Sequence, residues 1–242
     1  MSHVLIIGAT SALGDAIATR FIESKRKVVL HCSDLEKADS RGLHMCRTGF
    51  PVLELDLANN AAIGEQFAYF LSHHQISVSD LIYCAGADYN RPVRSTSAAS
   101  IDTLMRLNFY GFVEILNTLV KRSVNQGMLQ RVTAISSISA VRGFKGKAAY
   151  AASKAALDAY IRVAARELAP RTVLNSVLPG AFPSNMTEEV FSDETARLAM
   201  QSDYPLGLGS AEAIADVVHN LHSTKYSWTT GQQIIVDGGL TI

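Results

Sequence analysis

The chain lacks an excess of charge of either sign, a long apolar run and a paired set of cysteines. Lys+Arg and Asp+Glu each number 22, and this balance argues against nucleic acid or an anionic membrane as the main partner. No apolar run approaches the roughly 20 residues that a membrane-spanning helix needs. The cysteines Cys32, Cys46 and Cys84 have no paired spacing, which predicts reduced thiols in a cytoplasmic protein. We also expect no signal peptide, because a predicted strand follows Met1–His3 directly.

What is present is enough apolar sequence for a large core. The 242 residues are 48% hydrophobic and 18% charged, and they contain no linker, internal repeat or low-complexity segment. Strands and helices alternate throughout, which predicts an α/β fold with one doubly wound parallel sheet. The predicted strands cover residues 4–7, 27–31, 51–55, 80–84, 131–136, 172–178 and 232–236. The predicted helices cover residues 15–24, 61–74, 100–125, 150–169 and 210–222, with at most a short helix in 33–48 and a helical lid over 186–208.

Tyr150 and Lys154 lie four residues apart in a predicted Ala-rich helix, so their side chains share one face. Ser137 ends the preceding predicted strand and is expected to meet them. A tyrosine exchanges protons poorly at neutral pH because its ordinary pKa is about 10. An ammonium about 4 Å away favours the phenolate by roughly 4 kcal/mol at an effective dielectric near 20. The trio is therefore consistent with proton transfer between Tyr150, lowered in pKa by Lys154, and a substrate oxygen held by Ser137. The same pattern also fits no catalytic role, because a Tyr and a Lys four residues apart are common on helices and serine runs often only cap them.

A glycine turn follows the first predicted strand and opens the first predicted helix. Gly8 permits a tight turn, Gly14 permits close packing of helix on strand, and the helix start offers N–H groups to a pyrophosphate. The spacing is G-x-x-x-x-x-G, because Ala12 stands where a third glycine is expected. A dinucleotide site and a plain structural loop both fit this pattern.

Further polar or glycine-containing segments follow other predicted strands. Asp56 either accepts from an adenine amino group or serves as a turn aspartate. Gly86 lets the backbone approach a ligand. Asn108 interrupts a long helix, either as a satisfied buried amide or at a kink that holds a water. Loop 179–185 lies at a strand's carboxyl end, where ligands bind in open α/β sheets.

The histidines do not predict a metal centre. His73 and His74 are adjacent and point to different faces of a predicted helix. His219 and His222 are three residues apart but have no carboxylate or cysteine partner in place. We therefore expect no metal.

Together these motifs resemble the short-chain dehydrogenase/reductase family, in particular single-domain members such as the 3-oxoacyl-carrier-protein reductases. The resemblance runs from Val4 to Gly239. It implies a single Rossmann-type dinucleotide-binding and catalytic domain over residues 1–242, with a small lid at about 184–208. The matching positions are Gly8, Gly14, Asp56, Ala85, Gly86, Asn108, Gly111, Ser137, Tyr150, Lys154, Asn175, Pro179, Gly180 and 236–239.

The resemblance also implies a role for each matching residue. Tyr150 is general acid in reduction and general base in oxidation, Lys154 lowers its pKa and bonds the nicotinamide ribose, Ser137 positions the carbonyl, and Asn108 holds a relay water. The implied cofactor-binding positions are Gly8, Thr10, Ser11, Leu13, Gly14, Cys32, Ser33, Asp56, Leu57, Cys84, Ala85, Gly86, Tyr150, Lys154, Pro179, Gly180 and Phe182.

Three departures from the family pattern stand out. Ile7 and Ala12 replace a Thr and a Gly of the glycine turn. Tyr83 and Cys84 replace an Asn-Asn pair, which removes two side-chain amides. The usual Arg before the last long helix is missing.

Cofactor preference depends on the end of the second predicted strand. A carboxylate there accepts from both ribose hydroxyls of NAD and repels the 2′-phosphate of NADP. In the family register this position is Cys32, followed by Ser33, and neither is charged. Asp34 could restore NAD preference if the loop shifts. We predict NADPH over NADH.

The resulting hypothesis is an NAD(P)-dependent oxidoreductase that reduces a 3-oxoacyl thioester or similar ketone to a secondary alcohol. One alternative is a sugar or nucleotide-sugar carbonyl as substrate, because this fold serves many substrates. Another is a non-catalytic nucleotide-binding member of the family. The resemblance further implies a homotetramer, in which the two long helices and the last strand form the interfaces.

Overall fold

The computed structural model describes residues 2–40, 49–59, 61–184 and 186–242. Within these ranges, seven strands form one parallel sheet in the order β3-β2-β1-β4-β5-β6-β7. The strands are β1 (His3–Ile7), β2 (Val28–Cys32), β3 (Val52–Glu54), β4 (Val78–Tyr83), β5 (Arg131–Ile135), β6 (Val173–Pro179) and β7 (Gln233–Val236). The predicted doubly wound sheet is confirmed, and the strand boundaries differ from the predicted ones by up to two residues.

Helices cover both faces of the sheet. They are α1 (Ala12–Glu23), α2 (Leu35–Ser40), α3 (Ile63–His73), α4 (Ala98–Met105), α5 (Gly111–Val120), α6 (Arg122–Asn125), α7 (Ala148–Leu168), α8 (Glu188–Ser192), α9 (Glu194–Gln201) and α10 (Ala211–Leu221). Helices α3, α5 and α7 pack over one face, and α1 and α10 pack over the other. The central strands are buried on both sides, which is why β1 reads as an unbroken apolar run.

The strand order reverses between β1 and β4, which are neighbours in the sheet although β2 and β3 separate them in sequence. In parallel α/β sheets, the crevice beyond the carboxyl ends of the strands at such a switch point is the usual ligand site. The glycine turn after β1 and the Cys84–Gly86 segment after β4 both open onto it.

Helix α1 begins three residues before the predicted start at residue 15. The Ser11 hydroxyl caps it by accepting from the Gly14 N–H at 3.0 Å. Ser210 caps α10, because its hydroxyl accepts from the Ala213 N–H at 3.1 Å.

The predicted continuous helix over 100–125 is wrong in detail. The chain forms α4, then a π turn at Arg106–Tyr110, then α5, and α6 follows after a break at Lys121. Lys121 has an extended conformation, with φ −67° and ψ 118°. The π turn takes the place of the kink expected at Asn108.

The predicted helical lid over 186–208 divides into α8 and α9 and ends in turns. Asp193 separates the two helices and caps α9 by accepting from the Ala196 N–H at 3.0 Å. The short helix expected within 33–48 is α2, and residues 41–48, with Cys46, lie outside the described residues, as do Asn60 and Asn185. Within the described residues, no helix is long and apolar enough to cross a bilayer.

Candidate active site

A cavity of ≈ 760 Å³ opens at the carboxyl ends of the strands, over the switch point. Its walls come from the glycine turn, the segment after β4, the start of α7, the loop after β6 and the lid. The predicted site residues that line it are Thr10, Ser11, Leu13, Cys84, Gly86, Ser137, Tyr150, Lys154, Pro179, Gly180 and Phe182.

The other predicted positions do not line this cavity. Gly8, Gly14, Ala85 and Asn108 lie behind its wall and shape it. Cys32, Ser33, Asp56 and Leu57 lie at the ends of β2 and beyond β3, outside the cavity. Asp56 makes the contacts of a turn aspartate, which is one of its two predicted roles. Its carboxylate accepts from the N–H groups of Ala58 at 2.8 Å and Asn59 at 3.2 Å and from the Asn59 amide at 3.0 Å.

The glycine turn leaves room for backbone only. Gly8 has φ +82°, and a Cβ there would lie 2.6 Å from the Ala85 nitrogen. A Cβ at Gly14 would lie 2.2 Å from the Gly8 carbonyl oxygen. His31 fixes the turn from below, because its Nδ1 accepts from the Gly8 N–H at 3.0 Å while Nε2 contacts the Leu55 carbonyl at 2.8 Å. Burial lowers the pKa of His31 to about 4, so the ring stays neutral and can accept.

This geometry fits the pyrophosphate of a dinucleotide. Thr10, Ser11, Ala12 and Leu13 place the first turn of α1 in the cavity wall. The first N–H groups of a helix have no partner within it and carry partial positive charge, so they bind anions. Ala12, which departs from the family pattern, is exposed at this wall.

Ser137, Tyr150 and Lys154 meet at the cavity wall as predicted. Ser137 follows β5, and its hydroxyl accepts from the Ser139 N–H at 3.1 Å. Tyr150 and Lys154 lie one turn apart on α7, with the Lys154 Nζ 5.9 Å from the centre of the Tyr150 ring. Lys154 Nζ donates to the Ile135 carbonyl at 2.8 Å.

The electrostatics of the trio differ from the expectation for Tyr150. Burial raises the pKa of Tyr150 and outweighs the hydrogen bond to Ser137, which acts to lower it. Burial also lowers the pKa of Lys154 to about 8, against the charges of Cys84, Asp158 and Asp88, which act to raise it. Desolvation of the buried phenol is the largest cause of the Tyr150 pKa shift, and the Lys154 ammonium, which the prediction had beside the phenol, donates to the Ile135 carbonyl.

Asn108 is fully buried in the π turn, and its amide holds the segment after β4. Oδ1 accepts from the Ala87 N–H at 2.8 Å, while Nδ2 donates to the Ala87 carbonyl at 3.0 Å and to the Ser153 hydroxyl at 2.9 Å. The Ser153 hydroxyl donates to the Tyr150 carbonyl at 2.7 Å. A Cβ at Gly86 would lie 3.2 Å from both Asn108 Oδ1 and Lys154 Nζ. Glycine at this position therefore keeps the path between Asn108 and Lys154 open.

The sequence analysis missed several polar residues of the site. Asp88 and Lys147 form an ion pair in the cavity wall. Asp158 is buried one turn beyond Lys154, and its Oδ2 accepts from Ser136 and Gln233, each at 2.8 Å. The four-residue spacing from Lys154 was the available signal for Asp158. No local signal pairs Asp88 with Lys147.

The histidines take structural positions. His222 is buried, with Nδ1 2.9 Å from Asp80 Oδ1 and Nε2 3.0 Å from the Thr133 hydroxyl. The His73 and His74 rings lie edge to face on α3. Among the described residues, no three His, Cys, Asp or Glu side chains converge as a metal site would require.

Comparison with known proteins identifies the class. The family model for enoyl-(acyl carrier protein) reductase matches residues 8–241. The chain is 31% identical over 239 residues to a 3-oxoacyl-(acyl-carrier-protein) reductase of Rickettsia prowazekii, with 98% of this chain and 95% of the relative covered. The same enzyme of Aggregatibacter actinomycetemcomitans is 27% identical over 243 residues, with 98% of each chain covered.

Comparison with a solved structure also identifies the fold as that of a nicotinamide-dependent dehydrogenase. The fold matches 4-hydroxyisoleucine dehydrogenase complexed with NADH, with a TM-score of 0.90 and 26% identity over 100% of this chain and 99% of that one. The chain belongs to the short-chain dehydrogenase/reductase family and is an NAD(P)-dependent oxidoreductase. Within the family it is similar to the 3-oxoacyl-(acyl-carrier-protein) reductases.

Proposed function

We propose that this enzyme reduces the ketone of a 3-oxoacyl thioester, or of a similar acyl ketone, to a secondary alcohol. The observation that carries the proposal is the convergence of Ser137, Tyr150 and Lys154 at one wall of a cavity whose lining is more apolar than polar. Ile138, Phe144, Met186 and Met200 contribute to this lining, against which an acyl chain would lie. The similarity to two 3-oxoacyl-(acyl-carrier-protein) reductases supports the same substrate class.

The nicotinamide cofactor, when bound, supplies the hydride that reduces the carbonyl carbon. The Ser137 hydroxyl donates to the carbonyl oxygen and orients it. The Tyr150 phenol gives its proton to that oxygen, so that the C=O π bond breaks and an O–H bond forms. The Lys154 ammonium stabilises the phenolate left behind and binds a ribose hydroxyl. Asn108 holds a water through which Tyr150 recovers its proton from solvent.

The test is a substrate panel with purified enzyme. A 3-oxoacyl thioester, simple ketones and keto-sugars are each supplied with NADPH or NADH, and cofactor oxidation is followed by absorbance. The proposal expects the highest kcat/KM with the 3-oxoacyl thioester. A preference for a keto-sugar would overturn the substrate assignment. No turnover of any ketone with either cofactor would instead identify a non-catalytic nucleotide-binding protein.

For the cofactor we propose NADPH. Cys32 is buried at the end of β2, and Ser33 is exposed beside it without charge. The Asp34 carboxylate accepts from the Lys37 N–H at 2.9 Å and pairs with Lys37 Nζ at 3.0 Å, which supports its use in α2 rather than at a ribose. Against this, the similar 4-hydroxyisoleucine dehydrogenase is complexed with NADH, which favours NADH as the cofactor.

Fluorescence titration of both cofactors decides between them. The proposal expects tighter binding of NADPH. Tighter binding of NADH would overturn it, and reversal of that preference by Asp34→Ala would identify the responsible carboxylate.

We also propose that the cofactor sites lie at the predicted positions and that residues 184–208 form a lid on one catalytic domain. Met200 on α9 packs against the apolar cluster beside the cavity, and Tyr204 accepts from the Ala181 N–H at 2.9 Å. This contact ties the base of the lid to the loop after β6. We place the hinge of the lid at Pro205, Gly207 and Gly209, and Gly207 has φ +76°, a conformation that glycine permits.

For assembly we propose a cytoplasmic homotetramer with two-fold axes. Large apolar side chains are exposed on α7, in the segment before β7, on β7 and at the carboxyl end, namely Val163, Trp228, Ile235 and Ile242. Burial of these surfaces between copies would account for them. A monomer at micromolar concentration by light scattering would contradict this assembly.

A further inference from the structure

Tyr83 ends β4 and is fully buried, at a position where the family usually has an asparagine. Its hydroxyl donates to the Leu107 carbonyl at 2.5 Å. The ring lies edge-on to Phe112, with centroids 5.4 Å apart. Burial raises the pKa of Tyr83, so the phenol keeps its proton and remains a donor.

The accepting carbonyl belongs to the π turn. In a regular α-helix the Gly111 N–H would donate to the Leu107 carbonyl, four residues back. Here the Gly111 N–H donates to the Arg106 carbonyl, five residues back. The Leu107 carbonyl accepts instead from Tyr83, a residue of the neighbouring sheet.

Gly111 provides the space that this contact requires. A Cβ at Gly111 would lie 2.6 Å from the Tyr83 hydroxyl oxygen and 3.2 Å from Leu57 Cβ. Any side chain there would force the hydroxyl or the turn to move. Tyr83 and Gly111 therefore act as a complementary pair across the sheet–helix boundary.

Asn108 follows Leu107 directly, so the position of the Leu107 peptide fixes where the Asn108 side chain begins. From there Asn108 bonds both backbone groups of Ala87 and the Ser153 hydroxyl. Ser153 in turn contacts the Tyr150 carbonyl. A displaced π turn would break these contacts together.

We infer that Tyr83 is a positioning residue for the reaction: its buried hydroxyl holds the π turn that aims Asn108 at Ala87 and Ser153. This inference rests on the proposed function, in which Asn108 belongs to the proton relay of Tyr150. It gives a role to a residue that departs from the family pattern, and the hydrogen bond links the sheet to the relay.

The test begins with Tyr83→Phe, which removes only the hydroxyl. We expect kcat to fall about tenfold, because misplacement of a relay group slows proton transfer, while the KM of the ketone and the cofactor Kd stay nearly unchanged. Hydrogen exchange at the Ala87 amide, measured by NMR without cofactor, is expected to become faster. Tyr160→Phe is the matched control, because the Tyr160 ring also lies edge-on to Phe112, with centroids 6.2 Å apart. It should change neither quantity.

A double-mutant cycle with Asn108→Ala separates this inference from the proposed function. If Tyr83 acts through Asn108, Asn108→Ala lowers kcat and the added Tyr83→Phe lowers it no further. If the two substitutions lowered kcat by factors that multiply in the double mutant, the inference would be wrong and the proposed function would stand. The same holds if Asn108→Ala lowered kcat and Tyr83→Phe did not.

If Asn108→Ala kept the full kcat, Asn108 would have no part in the proton relay, and that part of the proposed function would be wrong. The Ala87 exchange rate would then decide the positioning role by itself, with an unchanged rate in Tyr83→Phe refuting it. Gly111→Ala perturbs the same contact from the opposite side and should also speed Ala87 exchange if the inference holds. An unchanged rate there would count against it.

Discussion

Strands β4 and β5 carry a buried polar cluster at each end, and the two clusters are built in opposite ways. At the amino end, Asp80 accepts from Arg26 at 2.5 Å, from Ser79 at 2.6 Å and from His222 at 2.9 Å. At the carboxyl end, the Lys154 ammonium bonds a carbonyl rather than a carboxylate. Among the described residues, Asp158 Oδ1 and Ser176 Oγ there have no hydrogen-bond partner.

From this difference we assign the amino-end cluster to the stability of the fold and the carboxyl-end cluster to function. Buried polar groups that are fully paired contribute to a unique fold, whereas groups left with free capacity in a cavity mark a binding or catalytic site. The amino-end cluster does not line this cavity, and its members satisfy one another. At the carboxyl end, Ser137, Tyr150 and Lys154 line the ≈ 760 Å³ cavity, where ligands can reach them, whereas Asp158 and Ser176 are buried outside its lining.

The largest expected effect comes from breaking the amino-end cluster with Asp80→Asn. Arg26, Arg131 and His222 would lose their shared counter-charge in a buried site, which should cost about 3 kcal/mol. Thermal unfolding should show a Tm lower by roughly 6–12 °C, with the kcat of the folded enzyme unchanged. Asp216→Asn, which breaks the exposed pair with Arg20, is the control and should barely change Tm.

The pH dependence sharpens this test. Burial acts to raise the pKa of Asp80, but hydrogen bonds from His222 and Ser79 and the charge of Arg26 bring it to about 2, below the ordinary 3.8. The lowered pKa means that Asp80 stabilises the fold fully above about pH 3.8 and loses this effect as the pH falls through 2. The Tm difference between wild type and Asp80→Asn should therefore shrink in acid.

Tyr150→Phe tests the opposite end of the sheet. Loss of the phenolic proton should lower turnover by at least about a hundredfold, with Tm and cofactor affinity nearly unchanged because the ring still packs. Lys154→Ala should lower turnover and also weaken cofactor binding. Tyr226→Phe, on the surface away from the cavity, serves as control. Near-full activity in Tyr150→Phe would refute the assigned mechanism.

The pH profile of kcat/KM tests the electrostatics of Lys154. Burial lowers the pKa of Lys154 to about 8, so activity that requires the ammonium should fall as the pH rises through that value. Asp158 acts to raise this pKa, and Asp158→Asn should move the alkaline limb down by up to about one unit. The exposed Asp102→Asn on α4 should leave the limb in place. An unmoved limb in Asp158→Asn would show that Asp158 does not act on Lys154.

The smallest expected effect on stability comes from removal of the Thr133 hydroxyl on β5. We compare it with removal of the Ser137 hydroxyl, which follows the same strand. Thr133→Val leaves His222 Nε2 without its partner and should cost about 1–2 kcal/mol of unfolding free energy, with kcat unchanged. Ser137→Ala should leave denaturant unfolding nearly unchanged and lower kcat. If Thr133→Val lowered kcat, or Ser137→Ala mainly lowered stability, the division between the two ends of the sheet would fail.

Much of the fold was predictable because its signals are local. The buried strand β1, the glycine turn and the Tyr150–Lys154 spacing are each contained within a few residues. At Asn108 the sequence indicated that the long predicted helix is interrupted, but not the form of the interruption. Its form as a π turn is accompanied by a hydrogen bond from Tyr83, more than 20 residues earlier, to the Leu107 carbonyl.

By itself, the sequence determined the doubly wound sheet, the family and the meeting of Ser137, Tyr150 and Lys154. Alternation of strands and helices, together with turn residues, leaves few other topologies. The tertiary structure decided how these groups are charged and held: the raised pKa of Tyr150, the ion pair of Asp88 with Lys147 and the contact of Tyr83 with Leu107. The physical reason is that burial and pairing depend on segments distant in sequence, and desolvation can reverse a shift that spacing alone predicts.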